Sequence, residues 1–163
     1  MSILSWCHWL QNTPFATGIR QSDLLFPLIE GSHILALALS VGLILIFDLR
    51  LLRLAFAAEP VSRVMEQFVP LSLPGFGGMF VTGLLLFIAQ AEKVYQNTFF
   101  RFKLALLVLA GLNALLYQLK FYPRMAEWDK SGMVPWGARI SGALSLVIWA
   151  CVIALGRTMA YEL

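Results

Sequence analysis

Glu30 and His33 are the residues of this chain whose types and spacing most directly invite chemistry. Three positions apart, they share one face of a helix. They fall about two turns into an apolar run, which puts His33 about 10 Å below a membrane boundary at 1.5 Å per residue. An ionisable group near the centre of such a helix costs roughly 2.5 kcal/mol or more and is a functional candidate by default.

An imidazole at that depth can ligate a haem iron while a neighbouring acceptor holds its other nitrogen. On that reading His33 is the metal ligand to a b-type haem, and Glu30 orients it or gates a proton. Arg20, Lys103 and Arg157 fall at the same membrane side, where they would neutralise the propionates. The second axial position has weaker candidates: His8, the only other histidine, and Met79, in the middle of the second span. A five-coordinate haem, a haem shared between protomers, or a quinone in place of the haem fits the same residues. The Glu-x-x-His spacing also occurs in di-iron bundles, but these need two such motifs and two more carboxylates. The plain structural alternative has His33 hydrogen-bonding across helices while Glu30 snorkels or pairs with Lys103 or Arg157.

No residue is assigned a catalytic role. The chain has no nucleophile elbow, P-loop, dinucleotide fingerprint or H-E-x-x-H, and no span carries a ladder of carboxylates. It is expected not to be an enzyme by itself, but at most an electron-transfer subunit.

The elements that must position these residues are legible from hydropathy. Of the 163 residues, 60% are hydrophobic and only 13% charged, too apolar for a water-facing domain of this size. Four runs are long enough to cross a bilayer, at about 25–47, 68–91, 99–119 and 138–155. With connections that are short except for the first and third, they predict an all-α, up-down-up-down bundle, a single transmembrane domain over 1–163. Ile3 to Leu10, with Trp6 and Trp9 and a stop at Pro14, reads as a short interfacial helix rather than a cleavable signal. Small residues recur at spacings of four in Ser32, Ala36 and Ser40, in Ala110 and Ala114, and in Gly137, Ser141 and Ser145, ridges that let helices pack closely in lipid. Pro70, Pro74, Gly75, Gly77 and Gly78 predict a kinked or irregular start to the second span.

Other polar residues receive structural expectations. Asp48 and Arg139 are expected to pair and tie the first span to the fourth. Asn113 and Gln118 are expected to hydrogen-bond between helices, and Trp149 to pack in the core. Cys7 and Cys151 show no metal or disulfide spacing.

Net charge is +3, but the basic residues are scattered and no nucleic-acid partner is indicated. Arg50, Arg53, Arg63, Lys120, Arg124, Lys130 and Arg139 lie on one side of the membrane, against Arg20, Lys93, Arg101, Lys103 and Arg157 on the other. That balance favours both termini on the periplasmic face of a bacterial inner membrane.

Several stretches carry a family resemblance: Leu25 to Leu52 with its Ile-Glu-x-x-His and Asp-Leu-Arg-Leu-Leu, Thr82 to Phe100, Phe102 to Asn113, the Glu127-Trp128-Asp129 turn, and Arg139 to Arg157. Together they resemble a family of small bacterial four-helix membrane proteins classed as a domain of unknown function. The resemblance implies the fold and no reaction. It also implies a histidine near the end of the third span, where this chain has Tyr117-Gln118. A looser similarity of layout links the chain to membrane cytochromes b and copper-resistance membrane proteins, and fold alone does not fix function.

The leading expectation is a redox or anchor subunit that holds haem b or a quinone near His33 and exchanges electrons with a periplasmic partner. The alternative is a non-catalytic scaffold subunit of a larger membrane complex, or a homo-oligomer. A permease is a third option, for which no internal repeat or pair of broken helices is present.

Overall fold

Each apolar run folds into a long helix because, without water, a backbone satisfies its own polar groups most simply as a helix. In the computed structural model, residues 2–162 are described, so Met1 and Leu163, at the two ends of the expected 1–163 domain, lie outside the described residues. In chain order the helices are α1 (Ile3–Gln11), α2 (Pro14–Gln21), α3 (Leu25–Leu51), α4 (Val61–Ala89), α5 (Ala91–Gln96), α6 (Thr98–Lys120), α7 (Met125–Ser131) and α8 (Trp136–Glu162), with a 3₁₀ turn at Tyr122–Arg124 before α7. No strand occurs among the described residues. α3, α4, α6 and α8 are long and apolar enough to cross a membrane, so this is a multi-pass membrane protein.

The bundle is two helical hairpins, α3 with α4 and α6 with α8, joined through α3 and α8. The backbones of α4 and α6 stay apart. At the α1 end their side chains still meet, where Phe87 stacks on Phe100 with ring centroids 5.6 Å apart. The α3–α4 seam is the closest. A Cβ on Gly75 would come within 2.9 Å of the Ser40 backbone nitrogen and 3.1 Å of the Ala36 carbonyl. Only glycine permits that approach, and Ser40 and Ser72 beside it are fully buried. Ala36 and Ser40 thus serve as the expected ridge, whereas Ser32 faces outward.

Two differences from the sequence expectation concern α4. The helix begins at Val61, seven residues before the expected span, because Val61, Val64 and Met65 turn one apolar face into the core while Arg63, Glu66 and Gln67 stay exposed. The helix also runs unbroken through Pro70 and Pro74. Both prolines sit on the exposed face, away from the Ser72–Gly75 seam, so the lost backbone bonds do not disturb packing.

The core has two parts. Val41, Ile148, Trp149 and Val152 fill the middle, with Phe76 and Met79 against them. Trp149 packs on Phe76 with ring centroids 5.7 Å apart, as a core residue. Phe47, Leu51, Val64, Tyr117 and Trp128 fill the α7 end.

That end is tied by polar contacts. Asp129 of α7 accepts hydrogen bonds from Val61 N (2.6 Å) and Ser62 N (3.2 Å), capping α4 from a distant part of the chain. Arg50 Nε donates to the Glu59 carbonyl at 2.7 Å and holds the α3–α4 loop. The expected Asp48–Arg139 ion pair is not formed. Asp48, only 4% exposed, is engaged by the Ser145 side chain of α8, and α8 approaches α3 at Gly142, where a Cβ would lie 3.3 Å from the Asp48 carbonyl. Arg139 lies over the Trp136 ring instead, 5.2 Å from its centroid. Asn113 bridges α6 to α8 as expected, donating to the Ser141 carbonyl and accepting from Ser141 Oγ, both at 3.0 Å. Gln118 is exposed and makes no hydrogen bond among the described residues.

Candidate functional site

His33 sits at the other end of the bundle, on the face of α3 that meets α4. Its Nδ1 lies 2.9 Å from Thr82 Oγ1. The Thr82 hydroxyl donates to the Gly78 carbonyl at 2.6 Å, so it is left to accept from the imidazole. With that hydroxyl donating to Gly78 and the Met79 backbone also engaging the ring, the arrangement favours the neutral tautomer with the proton on Nδ1 and the lone pair on Nε2. The ring is also pressed against Gly83, where a Cβ would come within 3.1 Å of Cε1. Thr82 and Gly83 were not singled out by sequence reasoning. A hydroxyl followed by a glycine, near the end of a span, is too common to mark them.

Lys103 carries a charge close enough to this imidazole to act on it. It is partly buried on α6, with its Nζ 3.3 Å from where a Cβ on Gly156 of α8 would stand. Lys103 makes no hydrogen bond or ion pair among the described residues. An ammonium at this depth is normally paired or snorkels to the boundary. The arrangement therefore offers one lone-pair nitrogen and one unshared cation, each beside a glycine where a side chain would take up the space.

The remaining candidates are placed elsewhere. Glu30 is exposed and makes no pair with Lys103 or Arg157. Arg157 is exposed and stacks over Tyr161, 4.9 Å from the ring centroid. Arg20 is a tie-bar: its Nη1 donates to the Gln11 carbonyl at 2.9 Å and the Ala89 carbonyl at 3.0 Å, fixing α1 and α2 to the end of α4. Gln11 completes this clamp, donating to Glu92 Oε2 at 2.7 Å and accepting from Glu92 N at 3.1 Å. His8 is exposed and beside Asn12, on a helix that packs on α5, α4 and α2 and not on α3. The structure therefore does not bring His8 to His33. Met79 is packed into the mid-bundle core. No group of three or more His, Cys, Asp or Glu side chains able to hold a metal ion occurs among the described residues.

A family model described as a family of unknown function (DUF6644) matches residues 22–162. No curated protein and no solved structure matches the chain.

Proposed function

The chain belongs to the DUF6644 family of unknown function, and from its site we propose that it is a small membrane redox subunit which holds a quinone head group between His33 and Lys103 and exchanges electrons with a partner protein. The observation that carries this reading is the ammonium of Lys103, without a hydrogen bond or ion pair among the described residues, within electrostatic reach of an imidazole whose Nδ1 is engaged by Thr82. The hydroquinone form matches such a pair: the ammonium donates to one ring oxygen, and the hydroxyl at the other donates to the lone pair of Nε2.

The donor set fits a quinone better than a haem. A b-type haem would use the same imidazole, but neither His8 nor Met79 is presented to His33 as a second ligand. A bound quinone supplies a couple of two electrons and two protons. The protein's share is acid–base and positional. His33 Nε2 would take up or return one of the two protons, with the other exchanged with bulk water, and Thr82 holds the tautomer that makes this possible. Lys103 donates a charge-assisted hydrogen bond and steadies negative charge on the ring oxygen. Gly83 and Gly156 leave room for the imidazole and the ammonium themselves, and the packed core below excludes water from that side. Electrons leave to a partner at the α1 end. The basic residues, seven at the α7 end against five at the α1 end, support a periplasmic α1 end in a bacterial inner membrane.

The test is quinone binding to the purified protein in nanodiscs, followed by tryptophan fluorescence, with the absorption spectrum recorded alongside. Saturable binding that is lost in both His33→Ala and Lys103→Met is expected. If neither variant changes it, or if a stoichiometric Soret band and pyridine haemochrome are found, the quinone reading fails.

A second reading, as an accessory subunit of a larger membrane complex, is favoured by α6. No residue in its most apolar stretch is buried within the bundle, and Val108, Leu112 and Leu116 form an exposed apolar row along it. Isolation of the protein from its native membrane in mild detergent tests this, with a stable larger assembly expected and a lone chain counting against it.

A further inference from the structure

Where the backbones of α4 and α6 stand apart, α1 and α5 close the gap and leave an apolar cavity of about 430 Å³. Trp6 and Cys7 of α1, Phe87 of α4, Tyr95 of α5, and Phe100 and Leu104 of α6 line it, and its wall presents no polar atom. It adjoins the site above by helix register. Phe87 lies one turn beyond Gly83 on the same face of α4, and Leu104 is the next residue after Lys103 on α6, about 100° round the helix from it.

We propose that this cavity receives the isoprenoid chain of the quinone, so that the substrate class is a long-chain membrane quinone rather than a free ring. The inference rests on the head-group reading of His33 and Lys103. A polar solute has no partner in such a wall, and leaving its groups unsatisfied there is costly. A single apolar chain does fit, and because it arrives from lipid its gain is the packing of its methyl and methylene groups against the aromatic wall. A phospholipid is the poorer occupant, because it brings two chains to one cavity and a phosphate to a site with one cation. The cavity is open on one side, which gives a chain a way in from the bilayer without crossing the packed hairpin seams.

The experiment compares long-chain ubiquinone and menaquinone with their chain-free ring analogues, on the full-length protein in nanodiscs. Leu104→Trp and, as a second filling variant, Cys7→Phe are each checked for folding by thermal melting. Both are expected to weaken long-chain binding at least about tenfold and to leave binding of the ring analogue unchanged. His33→Ala is expected to weaken both ligands. If the wild-type protein binds neither ligand, the head-group reading falls and this inference with it. If it binds ring and long-chain forms equally well, or if the filling variants leave long-chain binding intact, the cavity assignment alone is overturned. A co-purified phospholipid that native mass spectrometry finds in the wild type and not in Leu104→Trp overturns it as well.

Discussion

Thr82 Oγ1 stands 2.9 Å from His33 Nδ1 and donates its own hydrogen bond to the Gly78 carbonyl. One hydroxyl thereby sets both the orientation and the tautomer of the imidazole, because an oxygen already donating to a carbonyl can only accept from the ring. This link between α3 and α4 does for His33 what a carboxylate or carbonyl does for a ligating histidine in a metal site.

Thr82→Val keeps the shape of the side chain and removes the acceptor. The ring loses its fixed tautomer, and quinone affinity should fall by about 10- to 100-fold, while Thr82→Ser restores most of it. Binding titrations measure the loss, and ¹⁵N shifts of the His33 imidazole read the tautomer directly. An unchanged nitrogen spectrum in Thr82→Val would show that the hydroxyl does not set it.

Gly83→Ala separates fit from stability. The added methyl would stand 3.1 Å from His33 Cε1, so the ring must move by a few tenths of an ångström. Alanine favours the helix over glycine by about 1 kcal/mol, which offsets much of that strain. Melting temperature should therefore change little, while quinone binding weakens. A variant that binds like wild type would mean that the ring position is not critical.

Much of the fold was legible because hydropathy and small-residue spacing are local signals. The four spans, the α1 segment, the Ala36–Ser40 ridge and the Asn113 bridge all follow from patterns within one helix. The site was legible only in part. His33 was visible as an ionisable residue in an apolar run, but its partners lie 49 positions away at Thr82 and on α6 and α8, and no periodicity links them. The same limit explains Asp48. Two opposite charges at one level suggested a pair with Arg139, yet the close approach of α8 at Gly142 brings Ser145 to Asp48 first. The Asp-Leu-Arg-Leu-Leu and Glu-Trp-Asp stretches that carried the family resemblance serve the α7 end: Arg50 anchors the loop, Trp128 fills the core and Asp129 caps α4.

Asp129 therefore yields a purely structural prediction. Its two carboxylate oxygens satisfy the first two backbone donors of α4, at Val61 and Ser62. Replacing a capping side chain with alanine costs about 0.5–2 kcal/mol, and Asp129→Ala should lie at the upper end because both oxygens are used. Thermal unfolding in detergent measures it. Asp129→Asn should recover part of the loss, since one oxygen remains, and quinone binding at the far end should not change in either variant.

Asn113→Ala removes both bonds to Ser141. Interhelical hydrogen bonds in membranes average about 0.6 kcal/mol each, so a loss of about 1 kcal/mol is expected. The double variant with Ser141→Ala should cost little more than Asn113→Ala alone, because Ser141 Oγ loses its partner in either case. Additive losses in a double-mutant cycle would mean that the two side chains stabilise the bundle independently.

Lys103→Met gives the sharpest division between a site residue and a structural one. An ammonium within a span is costly to keep, and Lys103 offsets that cost with no ion pair or hydrogen bond among the described residues. Methionine matches its unbranched shape without the charge. If Lys103 is held for a ligand, the ligand-free variant should melt higher than wild type while its quinone affinity falls, the usual opposition of stability and function at a binding site. Added quinone should raise the melting temperature of the wild type, by mass action on the folded state, and leave the variant unmoved. Lys103→Arg, which keeps the charge on a broader head beside Gly156, should retain the low intrinsic stability and only part of the binding. A Lys103→Met protein that melts lower than wild type without ligand would mean that the ammonium is stabilising the bundle itself, and the case for a ligand at this position would be lost.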